Sequence, residues 1–141
     1  GPRAVQLDAA GNVYIVEREG NSVRKVDVQT LVITTIAGTG RKGYTGDGGP
    51  AAQATFNGPK EFDIDAAGNI FVVDTENHAI RRIDAKTGVV TTVAGNGERG
   101  GKGDSGPATA AQLDRPHGVA VDRGGKIYIG DTNNHRIRIV E

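Results

Sequence analysis

The stretch "DAAGN" at Asp8–Asn12 returns letter for letter at Asp65–Asn69, an interval of 57 residues. An altered copy, Asp122-Arg123-Gly124-Gly125-Lys126, begins a further 57 residues on. The pair "TTIAG" at Thr34–Gly38 and "TTVAG" at Thr91–Gly95 keeps the same interval, as do Gly46-Asp47 and Gly103-Asp104. A fixed period of this length marks a tandem array of one supersecondary unit, in which each copy buries its apolar faces against its neighbours. The units run 1–57, 58–114 and 115–141, and the third covers about half a period.

Each complete unit predicts four strands. In the second they fall at Lys60–Asp65, Ile70–Asp74, His78–Asp84 and Val89–Ala94, with Phe62/Ile64, Ile70/Val72, Ile80/Ile83 and Val89/Val93 as apolar positions. Gly68 suits a left-handed backbone in the first turn. Gly20, Asn77 and Asn134 share a slot in the second turn. Gly and Asn tolerate that conformation best, so a positive φ is expected there. Leu31 stands where the second unit has Gly88, which predicts a slightly different third turn in the first unit. The chain has 22 glycines and no long helical periodicity. A four-stranded meander repeated in tandem at this length is the signature of β-propeller blades. A β-solenoid is the alternative, but its coils generally have shorter periods.

Two blades and part of a third cannot close a ring. The chain is therefore expected inside a longer polypeptide or an association of copies, with further blades covering its ends. The uncovered faces are expected to carry Val5, Leu7, Val13 and Ile15 at one end and Val119, Val121, Ile127 and Ile129 at the other. The third unit lacks its outer strand and should show an open edge.

Two motifs suggest other functions. Gly38-x-Gly40-x-x-Gly43 fits a dinucleotide loop, but that chemistry needs a helix to follow so that phosphate meets its N-terminus, and here more glycines follow. "GDSGP" at Gly103–Pro107 resembles the surroundings of a protease nucleophile, yet Ser105 is matched by Gly48 one unit earlier and reads as a turn residue. A structural reading fits both loops. Asp47 and Asp104 are expected to accept hydrogen bonds from the following turn amides. Pro50 and Pro107 suit the start of a short helix. Ala51/Ala54/Phe56 and Ala108/Ala111/Leu113 form an apolar strip. Calcium is conceivable here, but one carboxylate per loop is far from the six to eight oxygens it takes, and no cofactor is expected.

Composition narrows the partners. Seventeen basic and seventeen acidic residues balance, which argues against a nucleic-acid surface. There is no cysteine, and no apolar run approaches the ~20 residues of a membrane span. The first residues, "GPRAVQLDAAG", lack the basic and apolar regions of a signal peptide. Arg24, Arg81 and Arg138 share one slot and are expected to tie adjacent blades together through acidic side chains. His78 and His135 are expected to pair with Asp74 and Asp131 across their hairpins. Arg3, Lys60 and His117 share a slot at the start of the first strand of each unit, which in a propeller lines the central channel. With Glu61 beside Lys60, they are the candidate binding residues: a partly basic ring at one channel mouth, able to meet an anionic group. No catalytic or metal-binding set is evident.

"AGNIFVVDTENHAIRRIDAKTGVVTTVAG" and "RPHGVAVDRGGKIYIGDTNNHRIRIVE" resemble NHL repeats, with D-T-x-N-H-x-I-R as the specific core. The linker "GxGxxGxxGDGGPAxxAxL" is similar to the long inter-blade loops of bacterial members. The first unit departs from the pattern, with Glu17, Gly20 and Asn21 where Asp74, Asn77 and His78 stand. The resemblance implies a propeller, most often six-bladed, with an extracellular or periplasmic setting. It implies a non-catalytic ligand- or protein-binding scaffold. Two alternatives stay open: part of a metal-dependent lyase or hydrolase with its site at the channel, and a structural subunit of an extracellular assembly.

Overall fold

Short runs of β-branched residues, each ended by a glycine- or aspartate-bearing turn, build eleven strands in the computed structural model, which describes residues 1–141. The first sheet holds β1 (Pro2–Leu7), β2 (Val13–Glu17), β3 (Ser22–Val26) and β4 (Ile33–Ala37), paired in that order. The second holds β5 (Glu61–Ile64), β6 (Ile70–Asp74), β7 (Ala79–Ile83) and β8 (Val90–Ala94). The third holds β9 (Gly118–Val121), β10 (Ile127–Asp131) and β11 (Arg136–Val140). All pairing within the three sheets is antiparallel, and β3–β4 and β7–β8 carry a register shift at matching places, Val23/Arg24 and Ile80/Arg81. This is an all-β propeller architecture, with two four-stranded blades and a three-stranded third.

The core lies between the blades. Val16, Val23 and Ala37 of the first meet Phe62, Ile70, Val72, Ile83 and Val90 of the second, and Ala51, Ala54 and Phe56 of the linker fill the seam. Phe71, Val73, Ile80 and Ala94 meet Leu113, Ile127 and Ile129 in the same way at the second seam. Ile127 and Ile129 are thus buried, Val119 and Val121 pack against them, and none of the four belongs to an uncovered face. The exposed apolar residues at that end are Ile137 (69%) and Ile139 (53%), because β11 turns its opposite side outward. At the first end Val5 and Leu7 are each 64% exposed, as expected.

The turns correct three expectations. The left-handed residue after β2, β6 and β10 is Asn21, His78 and His135 (φ 47°, 53° and 56°), one position later than Gly20, Asn77 and Asn134. In the second and third blades Thr75–Asn77 and Thr132–Asn134 form single 3-10 turns, and the left-handed residue ends each of them. The third turn does not change shape in the first blade. Leu31 takes φ 61° where Gly88 takes 70°, with the same bond from its N–H to the Asp four residues back (2.8 and 2.9 Å). Asp47 does not cap its own turn, since Gly49 N–H bonds to Gly46 O instead, and its carboxylate reaches the next blade.

Pro50 and Pro107 precede one-turn 3-10 helices at Ala51–Gln53 and Ala108–Ala110. The glycine pattern has a steric cause. A Cβ on Gly38 would lie 2.2 Å from Asn21 O, and one on Gly95 2.2 Å from His78 O. These glycines let the linker leave its blade against the preceding turn, and no helix opens at the glycine pattern itself.

Candidate functional site

The D-T-x-N-H-x-I-R core is chiefly an inter-blade fastening. Asp74 is fully buried and accepts from Asn57 N–H (2.8 Å), Asn77 Nδ2 (2.8 Å) and Arg81 Nη1 (3.4 Å). Burial pushes its carboxyl up to about 6, against the lowering effect of those three donors. Thr75 Oγ1 donates to Pro116 O of the next blade (2.9 Å), and Asn77 Nδ2 reaches Gly43 O (2.7 Å). Arg81, fully buried, also donates to Asp47 (3.0 Å) and to the carbonyls of Thr45 and Thr55 (2.8 and 2.6 Å), under the rings of Tyr44 and Phe56. Arg138 repeats the pairing with Asp104 and Asp131. Arg24 has only Glu17 of its own blade, at 3.6 Å. The arginine slot therefore ties blades together in the second and third units.

His78 does not pair with Asp74. Its Nδ1 accepts the backbone N–H of Arg115, the first residue of the third blade's approach, at 3.1 Å. Asn21 Oδ1 makes the equivalent bond to Gly58 N–H at 2.9 Å. The acceptor role requires neutral His78, and its pKa is lowered, first by burial and then by Arg99 and Arg115.

The predicted binding residues gather at the starts of the inner strands. β1, β5 and β9 lie side by side across the three sheets. Lys60 and His117 are fixed just before β5 and β9 by N–H bonds to Val73 O (3.2 Å) and Gly130 O (3.1 Å). Lys60 Nζ and His117 Nε2 stand 2.8 Å apart. Both pKa values are lowered, by burial first; the positive charges of Arg115, Arg18 and Arg3 press on Lys60, and those of Lys60, Arg115 and Arg3 on His117. Glu61 is not the counter-ion of Lys60. Its Oε1 accepts the N–H of Phe62 (3.0 Å).

The carboxylate at the centre of the cluster is Glu76, paired with arginines and not with Lys60, and sequence reasoning missed it together with Arg18 and Arg115. Glu76 Oε1 lies 2.6 Å from Arg115 Nη2 and 3.9 Å from Arg18 Nη2. Burial works to raise its carboxyl, but Arg115, Lys60 and Arg18 outweigh that and leave it low. These three residues come from different slots of the repeat; Glu19 repeats Glu76 one unit earlier, but neither arginine recurs in its slot, so periodicity carries no signal for the pairing. The cluster thus holds Arg3, Arg18, Lys60, Arg115 and His117 with two carboxylates, Glu76 on Arg115 and Glu19 on Arg18 (3.2 Å). No three His, Asp or Glu side chains converge in the chain.

Fold and inter-blade fastening together define a β-propeller segment. Residues 113–140 match the NHL repeat, and residues 40–102 match the teneurin NHL domain. The chain belongs to the NHL-repeat β-propeller family. It is 33% identical to the chloroplastic protein suppressor of quenching 1 of Arabidopsis thaliana, over 91% of this chain and 12% of that protein. It is 28% identical to human NHL repeat-containing protein 2, over 92% of this chain and 19% of that one. Among solved structures it is similar to an auxiliary nutrient binding protein of Bacteroides thetaiotaomicron, with TM-score 0.77 and 27% identity over 97% of this chain and 36% of that one. The chain spans less than a fifth of the two curated relatives' length.

Proposed function

We propose that the chain is a non-catalytic binding module whose basic cluster at the starts of β1, β5 and β9 takes an anionic group of a small ligand or a protein. One observation carries this reading: Lys60 and His117 are held 2.8 Å apart among Arg3, Arg18 and Arg115, in a chain whose total charge balances. Lys60, Arg3, Arg18 and Arg115 raise one another's energy as neighbouring cations while the neutral His117 ring accepts from Lys60, so an anion that enters relieves the cations. Arg18 Nε and Arg115 Nε are buried without an acceptor in the chain. The similar solved structure described as a nutrient binding protein supports a binding role.

Titration calorimetry with inorganic phosphate, citrate and a neutral sugar tests the reading. Saturable heat is expected for the anions alone. Loss of one charge-assisted contact in Lys60→Ala should weaken binding about tenfold or more. For sulfate, whose charge stays constant in this range, affinity should rise as pH falls toward the lowered His117 value, since a bound anion favours the protonated ring. His117→Asn should flatten that profile. Equal binding of the neutral sugar, or an unchanged affinity in Lys60→Ala, would sink the proposal.

A further inference from the structure

Lys60 differs from the permanent cations of its cluster in one respect: it can lose its charge. Arg3, Arg18 and Arg115 carry guanidinium groups, which keep their protons in proteins. Arg115 and Arg18 are each held by a carboxylate, Glu76 at 2.6 Å and Glu19 at 3.2 Å. Lys60 makes no such ion pair. The polar partner of its Nζ is Nε2 of His117, at 2.8 Å. The two side chains leave adjacent inner strands from the same slot of the repeat, 57 residues apart. Each backbone is fixed there, Lys60 by Val73 O (3.2 Å) and His117 by Gly130 O (3.1 Å). Lys60 is half-buried and His117 exposed, so a small molecule reaches the amine from solvent.

An amine held in this way is a nucleophile closer to neutral pH than an ordinary lysine. Burial disfavours its charged form first. Arg115, Arg18 and Arg3 press in the same direction, and Glu76 opposes them. The neutral His117 ring stands at hydrogen-bond distance to take the proton. Partial desolvation beside other cations is the arrangement that activates lysine toward carbonyl carbon.

We propose that Lys60 captures an aldehyde or ketone that carries a carboxylate or phosphate, as a reversible imine, with His117 as its proton partner. This rests on the anion-binding reading, since the arginines hold the ligand's charge while Nζ meets its carbonyl. Nζ, as the neutral amine, attacks the carbonyl carbon. The N–C bond forms, the C=O π pair goes to oxygen, and His117 Nε2 relays one proton from nitrogen to that oxygen. The hydroxyl so formed takes the second amine proton by the same relay. It leaves as water while the nitrogen lone pair closes the C=N bond, and no oxidant or reductant takes part.

The test incubates the 141-residue chain with cyanoborohydride and either 4-oxobutanoate or butanal, its uncharged counterpart. The reduced adduct on each lysine is followed in time by peptide mass spectrometry. Lys60 should be trapped by 4-oxobutanoate about tenfold or more faster than the exposed Lys86, the effect of one unit of lowered pKa. It should favour 4-oxobutanoate over butanal, and Lys86 should not. His117→Asn should slow trapping at Lys60 by about tenfold or more and leave Lys86 unchanged. A sulfate titration of the same protein separates the two readings. Saturable sulfate heat with Lys60 trapped no faster than Lys86 overturns imine capture and leaves anion binding standing. Equal rates with the two aldehydes at Lys60, or unchanged trapping in His117→Asn, also overturn it. Absence of sulfate heat overturns the anion reading and this proposal with it.

Discussion

Leu31 sits at φ 61° with its side chain 77% exposed, so it gains little from packing in return for a backbone that L-residues avoid. The left-handed conformation costs roughly 1–2 kcal/mol, and the unfolded-state freedom of glycine gives back roughly 0.4–1 kcal/mol. Leu31→Gly is expected to stabilise the chain by about 0.5–1 kcal/mol, read as a higher urea midpoint at unchanged slope. His78 makes the opposite case, a side chain retained for its bond. Its folded pKa is lowered, so between that value and about 6.5 the unfolded chain binds more protons. Stability is fully present above pH 6.5 and falls as pH drops below it. His78→Asn keeps an acceptor, as Asn21 does in the first blade, without titrating. The wild type should lose stability relative to this variant on acidification from pH 7 to 5; parallel profiles would remove His78 from the account.

At the scale of elements, the linker between blades does more than connect them. Residues 48–51 edge-pair with the outer strand of the next blade, and Asp47 reaches the buried Arg81. Arg81 keeps Asp74 and two carbonyls if Asp47 is lost, so the charge is not wholly orphaned. Asp47→Ala should cost about 1–3 kcal/mol in chemical denaturation, as expected for one charged hydrogen-bond partner removed from a buried group. Arg81→Ala should cost more, because it strands the buried Asp74 beside an empty volume. Equal stabilities of Asp47→Ala and the wild type would show that the linker is merely draped over the blade.

For the whole molecule, the ends differ from the seams. Val5 and Leu7 on one face and Ile137 and Ile139 on the other stand more than half exposed, whereas Phe62 and Ile80, the counterparts of Val5 and Ile137, are fully buried. The 141-residue chain on its own is expected to associate through these faces. Leu7→Thr with Ile137→Thr should shift sedimentation toward the monomer. A wild-type monomer at micromolar concentration with cooperative unfolding well above room temperature would contradict this.

The 57-residue period, the four-strand unit and the first seam's Phe62, Ile70, Val72 and Ile83 were legible in the sequence, because strand burial is written as a local pattern that repeats; the second seam was not, since Phe71 and Val73 face it from the other side of the same strand and it covers Ile127 and Ile129. The shared slot of Arg3, Lys60 and His117 was legible for the same reason. The left-handed position was misjudged by one, since Asn77 is there for its side-chain bonds and His78 carries the backbone bend. The ion pair of Glu76 with Arg115 was not legible. It joins unlike positions of neighbouring units, and no period relates them. Repetition fixes what each blade has in common. Contacts that occur once, where one blade's turn meets the next blade's approach, depend on the rotation between blades, and only the tertiary structure decides those.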